Sequence, residues 1–144
     1  MLVKIIEKDS SDYVKALALR VAVLRKPLGL SYAQTDLDLE KDDIHFVATH
    51  DQDIIGCLLV RPMSKTIIKM RQVAVSFSYQ KKGIGQKLVA ASEAYALSHG
   101  FQKIELSARI DSVPFYERLG YRVTGLTYIE VTLPHQKMEK SLDQ

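Results

Sequence analysis

The residues with the most chemical potential lie between Arg71 and Leu88, RQVAVSFSYQKKGIGQKL, where an apolar stretch meets a polar turn, paired lysines and paired glycines. Val73 and Val75 alternate as a strand requires, and Ser76, Ser78 and Tyr79 end it. From Ile84 the apolar residues Ile84, Leu88, Ala91 and Tyr95 recur at helical spacing, which predicts a helix to about His99 with Gly100 beyond its end. The turn is therefore a helix N-terminus, whose free N–H groups and positive dipole end suit an anion, phosphate above all. Gly83 and Gly85 leave those N–H groups uncovered, and Lys81, Lys82 and Lys87 add charge beside them. A P-loop would need Gly-x-x-x-x-Gly-Lys-Ser/Thr, and a dinucleotide fingerprint would need a third glycine where Leu88 stands.

Gln80-Lys81-Lys82-Gly83-Ile84-Gly85, placed after the strand Val73-Ala74-Val75, resembles the Gln/Arg-x-x-Gly-x-Gly/Ala pyrophosphate loop of the GNAT superfamily of N-acetyltransferases. A second stretch, Arg109 to Tyr121 (RIDSVPFYERLGY), is similar in its second half to the family pattern Asn-x-x-Ala-x-x-aromatic/aliphatic-Tyr-x-x-x-Gly-Phe/Tyr. Its first half departs, with Arg109 and Ser112 where Asn and Ala are commonest, so the coenzyme contacts of that Asn are not carried over. Together the motifs span Arg71 to Tyr121, roughly a third of the chain.

The resemblance implies an α/β fold: a central mixed, mostly antiparallel sheet with one parallel βαβ unit, flanked by helices. It implies acetyl-CoA as cosubstrate and no metal, with coenzyme contacts from Val73, Ala74, Val75, Gln80, Lys81, Lys82, Gly83, Ile84, Gly85, Gln86 and Phe115. The expected activity is acetyl transfer to a primary amine by direct attack. Tyr116 matches the tyrosine that protonates the departing sulfur, and the Val75 N–H is the expected oxyanion donor. The acceptor amine, with a pKa near 10.4, needs a base, for which Glu130, His135 and Glu40 are the candidates. Glu40 also belongs to an acidic run, Asp36 to Asp43, that in this family lines the acceptor cleft and would attract a cationic amine. The competing expectation is a non-catalytic acyl-CoA sensor, which would keep Gln80 to Gly85 but need no general acid.

The elements that must hold these groups read off in order. Leu2 to Ile6 is β-prone, and Asp9, Ser10 or Ser11 caps a helix that places Val14, Leu17, Val21 and Leu24 on one face, with Arg20 off it. Pro27 and Gly29 end that helix. Ile44 to Thr49 and Ile54 to Arg61 form a hairpin, Lys65 to Val75 the next strand, and Lys103 to Ser107 the strand parallel to it across a right-handed crossover. Asp111 or Ser112 caps a short helix, and Tyr128 to Lys140 supplies the closing β segment.

With 144 residues, 47% hydrophobic and 26% charged, the chain suits one domain spanning residues 1–144. A net charge of +3 spread along the chain suggests no nucleic-acid partner, and apolar runs too short to span a bilayer suggest no membrane one. Cys57, the single cysteine, lies in an apolar strand and reads as a buried inert thiol in a cytoplasmic protein. The partner expected is a small-molecule or protein amine, and family members are often homodimers.

Overall fold

The computed structural model describes residues 1–142. Strands β2 (Ile44–His50) and β3 (Asp53–Pro62) form the predicted hairpin, closed by Asp51 and Gln52, both left-handed (φ 49° and 71°) as a tight two-residue turn requires. β1 (Leu2–Ile6) pairs with β2, and β4 (Ile67–Val75) with β3, both antiparallel. β4 starts two residues later than predicted because the Ser64 hydroxyl accepts the N–H groups of Thr66 and Ile67 and makes Ser64 to Thr66 a turn. β5 (Lys103–Arg109) runs parallel to β4, and β8 (Leu133–Ser141) lies antiparallel beside β5 and carries both β6 (Arg122–Val123) and β7 (Tyr128–Glu130). The sheet order is β1-β2-β3-β4-β5-β8-β6, a mixed sheet with helices on both faces.

Neighbouring residues on a strand face opposite ways, and the core divides accordingly. Phe46, Ala48, Leu58, Val60, Ile68 and Met70 pack against α3 (Ile84–Ser98), whereas Val47, Cys57 and Ala74 pack against α1 (Ser11–Arg20) through Ala16. Ser10 is the residue that caps α1, accepting the Tyr13 N–H at 3.2 Å.

The buried face of α1 differs from the predicted one. Ala16 and Arg20 are buried, and Val14 is 67% exposed. Arg20 goes inward because Glu40, just after the short helix α2 (Gln34–Asp38), meets its guanidinium with two hydrogen bonds of 2.7 Å. After Arg20 the helix widens into a π-type turn, Val21–Arg25, which brings Leu24 onto the Cys57 cluster and Arg25 to the rim of a cleft.

Two features shape the centre of the sheet. In the β3–β4 ladder, Cys57 faces Ala74 and Leu59 faces Arg71, so Leu58 alone opposes Gln72 and Val73. This bulge, with Gln72 at φ 56°, shifts the alternation so that Met70 and Val73 both pack on the α3 side. Gly56 marks the second feature. A Cβ there would sit 2.9 Å from Leu88 Cδ1 and 3.0 Å from Ile84 Cγ2, so its absence lets the first turns of α3 lie close on β3. Gly56→Ala is expected to cost about 1–3 kcal/mol by overpacking, read as a lower urea midpoint with an unchanged m-value.

Candidate active site

β4 and β5 pair only over Ile67–Lys69 and Lys103–Glu105, and beyond them the strands part. The gap belongs to a cleft of about 1020 Å³. The candidate coenzyme, acceptor and proton-transfer residues line it except Lys82, whose ammonium sits 5.5 Å from the Tyr79 ring centre; Lys87 also lies outside the lining.

At one end lies the loop from Gln80 to Gly85. Gln80 donates its side-chain amide to Val75 O at 3.0 Å, tying the loop to the end of β4. Lys81 and Gly83 take left-handed conformations, φ 63° and 83°, just before α3, whose first-turn N–H groups have no partner within the helix and suit an anion. The two glycines serve different purposes. Gly83 has open space around it and is required by its φ, whereas a Cβ on Gly85 would meet the Phe115 ring at 3.2 Å. The N–H of Ser76 donates to Ile55 O at 2.8 Å. Successive N–H groups of an extended strand point to opposite edges, so that of Val75 faces the gap.

The far wall is α4 (Val113–Arg118), preceded by a 3-10 turn over Ile110–Ser112. Neither Asp111 nor Ser112 caps it through a side chain; the turn leads straight into Val113 and Pro114 instead. Tyr116 is 7% exposed and packed edge-on against Phe115 and Tyr121. Burial raises its phenol pKa well above the ordinary tyrosine value, which keeps its proton in place.

The other end of the cleft is polar. The closing β segment is a hairpin, β7–β8, turned at Val131 and Thr132, and it carries Glu130 and His135. His135 is 5% exposed, and its Nδ1 lies 2.9 Å from Leu133 O, an arrangement in which Nδ1–H donates to the carbonyl and the lone pair of the neutral ring is on Nε2. Nε2 stands 3.8 Å from Glu130 Oε2. Glu40 lies beneath this end, 1% exposed, with both carboxylate oxygens held by Arg20 rather than offered to a ligand. Burial draws the Arg20 pKa down, and the hydrogen bonds and charge of Glu40, with Tyr32, more than reverse it. Cys57 is 3% exposed, and burial pushes its thiol up to about 12, which leaves it un-ionised. Among the described residues no group of three His, Cys, Asp or Glu is placed to hold a metal, and no helix is long and apolar enough to cross a membrane.

Several cleft residues escaped the sequence reading: Arg25, Tyr32, Arg71, Gln72 and Arg109. The Tyr32 ring lies under the guanidinium groups of Arg20 and Arg25, 4.6 and 4.3 Å from its centre. Its hydroxyl donates to Gln72 Oε1 at 2.6 Å, which ties the bulge of β4 to the α1–α2 connection. Only Arg109 left a trace in the sequence, as the departure from Asn at the head of the second motif.

A family model described as an acetyltransferase (GNAT) domain matches residues 23–142. The uncharacterized N-acetyltransferase YjcF of Bacillus subtilis (strain 168) is 26% identical over 137 residues, covering 94% of this chain and 97% of its own. A crystal structure from Lactobacillus plantarum superposes with a TM-score of 0.86 at 28% identity, covering 99% of both chains. An aminoglycoside 6'-N-acetyltransferase complexed with coenzyme A superposes with a TM-score of 0.82 at 18% identity, covering 100% of this chain and 98% of its own.

Proposed function

The chain belongs to the GNAT acetyltransferase family, and from that premise we propose that it transfers an acetyl group from acetyl-CoA to a primary amine by direct attack. The observation that carries this reading is the parting of β4 and β5 between an anion-receiving loop and a polar face. A thioester on a long diphosphate-bearing arm fits such a passage. The diphosphate would rest on the N–H groups between Gln80 and Gln86, with Lys81 and Lys82 beside it, and Ile84 and Phe115 lining the way in. The arm would follow the open edge of β4 at Val73, Ala74 and Val75.

In this reading the Val75 N–H stabilises the oxyanion that forms when the amine attacks, and the donor is already fixed by the sheet. Nε2 of His135, with the Glu130 carboxylate 3.8 Å from it on the same side of the ring, takes the proton the amine must lose, directly or through water. Tyr116 gives its proton to the departing sulfur. Burial makes the phenol a reluctant acid, but it also raises the proton affinity of a thiolate leaving in the same apolar wall, so the two remain matched. The un-ionised Cys57 supports attack without an acetyl-enzyme.

Gly83→Val tests the coenzyme loop. No neighbour lies within 4 Å of the added Cβ, so the fold should survive, but φ 83° is strained for a β-branched residue and the N–H groups will turn away. Calorimetry should show acetyl-CoA affinity weakened about tenfold or more, the equivalent of roughly 1.4 kcal/mol. An unchanged affinity would remove the loop from the coenzyme site.

A further inference from the structure

Two arginines from separate elements converge at the polar end of the cleft. Arg25, from the π-type turn after α1, and Arg109, the last residue of β5, both donate to one acceptor, Leu24 O, at 3.2 and 2.8 Å. Two guanidinium groups sharing an oxygen repel one another, and among the described residues neither forms an ion pair. Burial, then the charge of Arg25, depresses the pKa of Arg109. Arg25 is held in place against the Tyr32 ring. A third guanidinium, Arg71, lines the same end; it is 3.7 Å from Asp43, whose two oxygens already take hydrogen bonds from Arg61, and its buried Nη1 has no hydrogen-bond partner.

Like charges held together in a partly buried wall are stabilised by an anion, and planar guanidinium groups suit the paired oxygens of a carboxylate or phosphate. Arg109 faces His135 directly across the β5–β8 ladder, where opposed Cα atoms are about 5 Å apart. An anion on the arginines therefore lies only a few bonds from an amine presented to His135. The carboxylates Asp36, Asp111 and Glu130 also line the cleft and can receive the cationic nitrogen of such a molecule.

We propose that the acceptor is a small amine bearing an anionic group, carboxylate or phosphate, a few bonds from its nitrogen, and that Arg25 and Arg109 bind that group. Calling this molecule an acceptor rests on the acetyltransferase reading; its binding does not. A polycation, such as an aminoglycoside or polyamine, would meet the two arginines head-on.

The test is calorimetric titration of the full chain, saturated with coenzyme A, against four probes: the set of protein α-amino acids, O-phosphoethanolamine, ethanolamine and spermidine. At least one anionic amine should bind about tenfold or more tightly than ethanolamine and spermidine, and Arg25→Gln and Arg109→Gln should each weaken it about tenfold. Arg122→Gln, which removes the same charge from a surface arginine 77% exposed beside Glu139, should leave it unchanged. A response to amino acids or to O-phosphoethanolamine tells carboxylate from phosphate. Tighter binding of spermidine or ethanolamine, no binding of any anionic amine, or a preference that survives both cleft variants would overturn the proposal. Binding of the anionic amine with no thiol release from acetyl-CoA would uphold the arginine site and instead sink the transferase reading.

Discussion

Tyr116→Phe is expected to lower kcat about a hundredfold while acetyl-CoA affinity stays within about twofold. The substitution removes one hydroxyl and leaves the ring, which packs edge-on to Phe115 at 5.0 Å and to Tyr121 at 5.8 Å between centres. Those contacts are apolar, so the fold should barely register the change, and the loss belongs to the proton the sulfur needs. Steady-state thiol release measures it. The deficit should narrow with leaving groups of lower thiol pKa, which need less protonation. A variant with wild-type kcat across the pH range would transfer the acid role to water or another group.

The second large effect concerns stability. Arg20→Met is expected to cost about 3–5 kcal/mol, because it strands the carboxylate of Glu40, 1% exposed, without its counter-charge. The double change Arg20→Met with Glu40→Leu should recover most of that loss, since the penalty lies in the unpaired charge and not in the missing bridge. Urea unfolding of the four proteins closes the cycle. A single variant within about 0.5 kcal/mol of wild type would mean that the pair is solvated and not the fixed floor of the cleft.

The loop from Gln80 to Gly85 was legible in the sequence because each of its requirements is local. A strand, a turn with Gly83 and a helix of period 3.6 follow one another within a few residues, and each announces itself. The polar end of the cleft is assembled from distant pieces, and its signals are not local. Arg20 reads as an exposed charge on an amphipathic helix until Glu40, twenty residues on, is folded beneath it. Gly56 reads as a weak point in a strand, since nothing nearby shows that Ile84 and Leu88 press on it. The bulge at Gln72 is invisible because a strand one residue too long still alternates in its two halves. The β7–β8 turn escaped for a different reason: Val131 and Thr132 are β-branched residues at φ 49° and 65°, where Gly or Asn would have marked the reversal. Arg109 shows the converse, because a departure from the family pattern fell on a residue that lines the cleft.

The proposed reaction of the cleft is acetyl transfer from acetyl-CoA to an amine. Its most direct test follows free coenzyme A thiol and N-acetylated product together, with purified protein, acetyl-CoA and each amine probe in turn. Thiol release should depend on the amine and match product one to one. Tight acetyl-CoA binding with no amine-dependent release on any probe would rule out the transfer and make this cleft a coenzyme receptor.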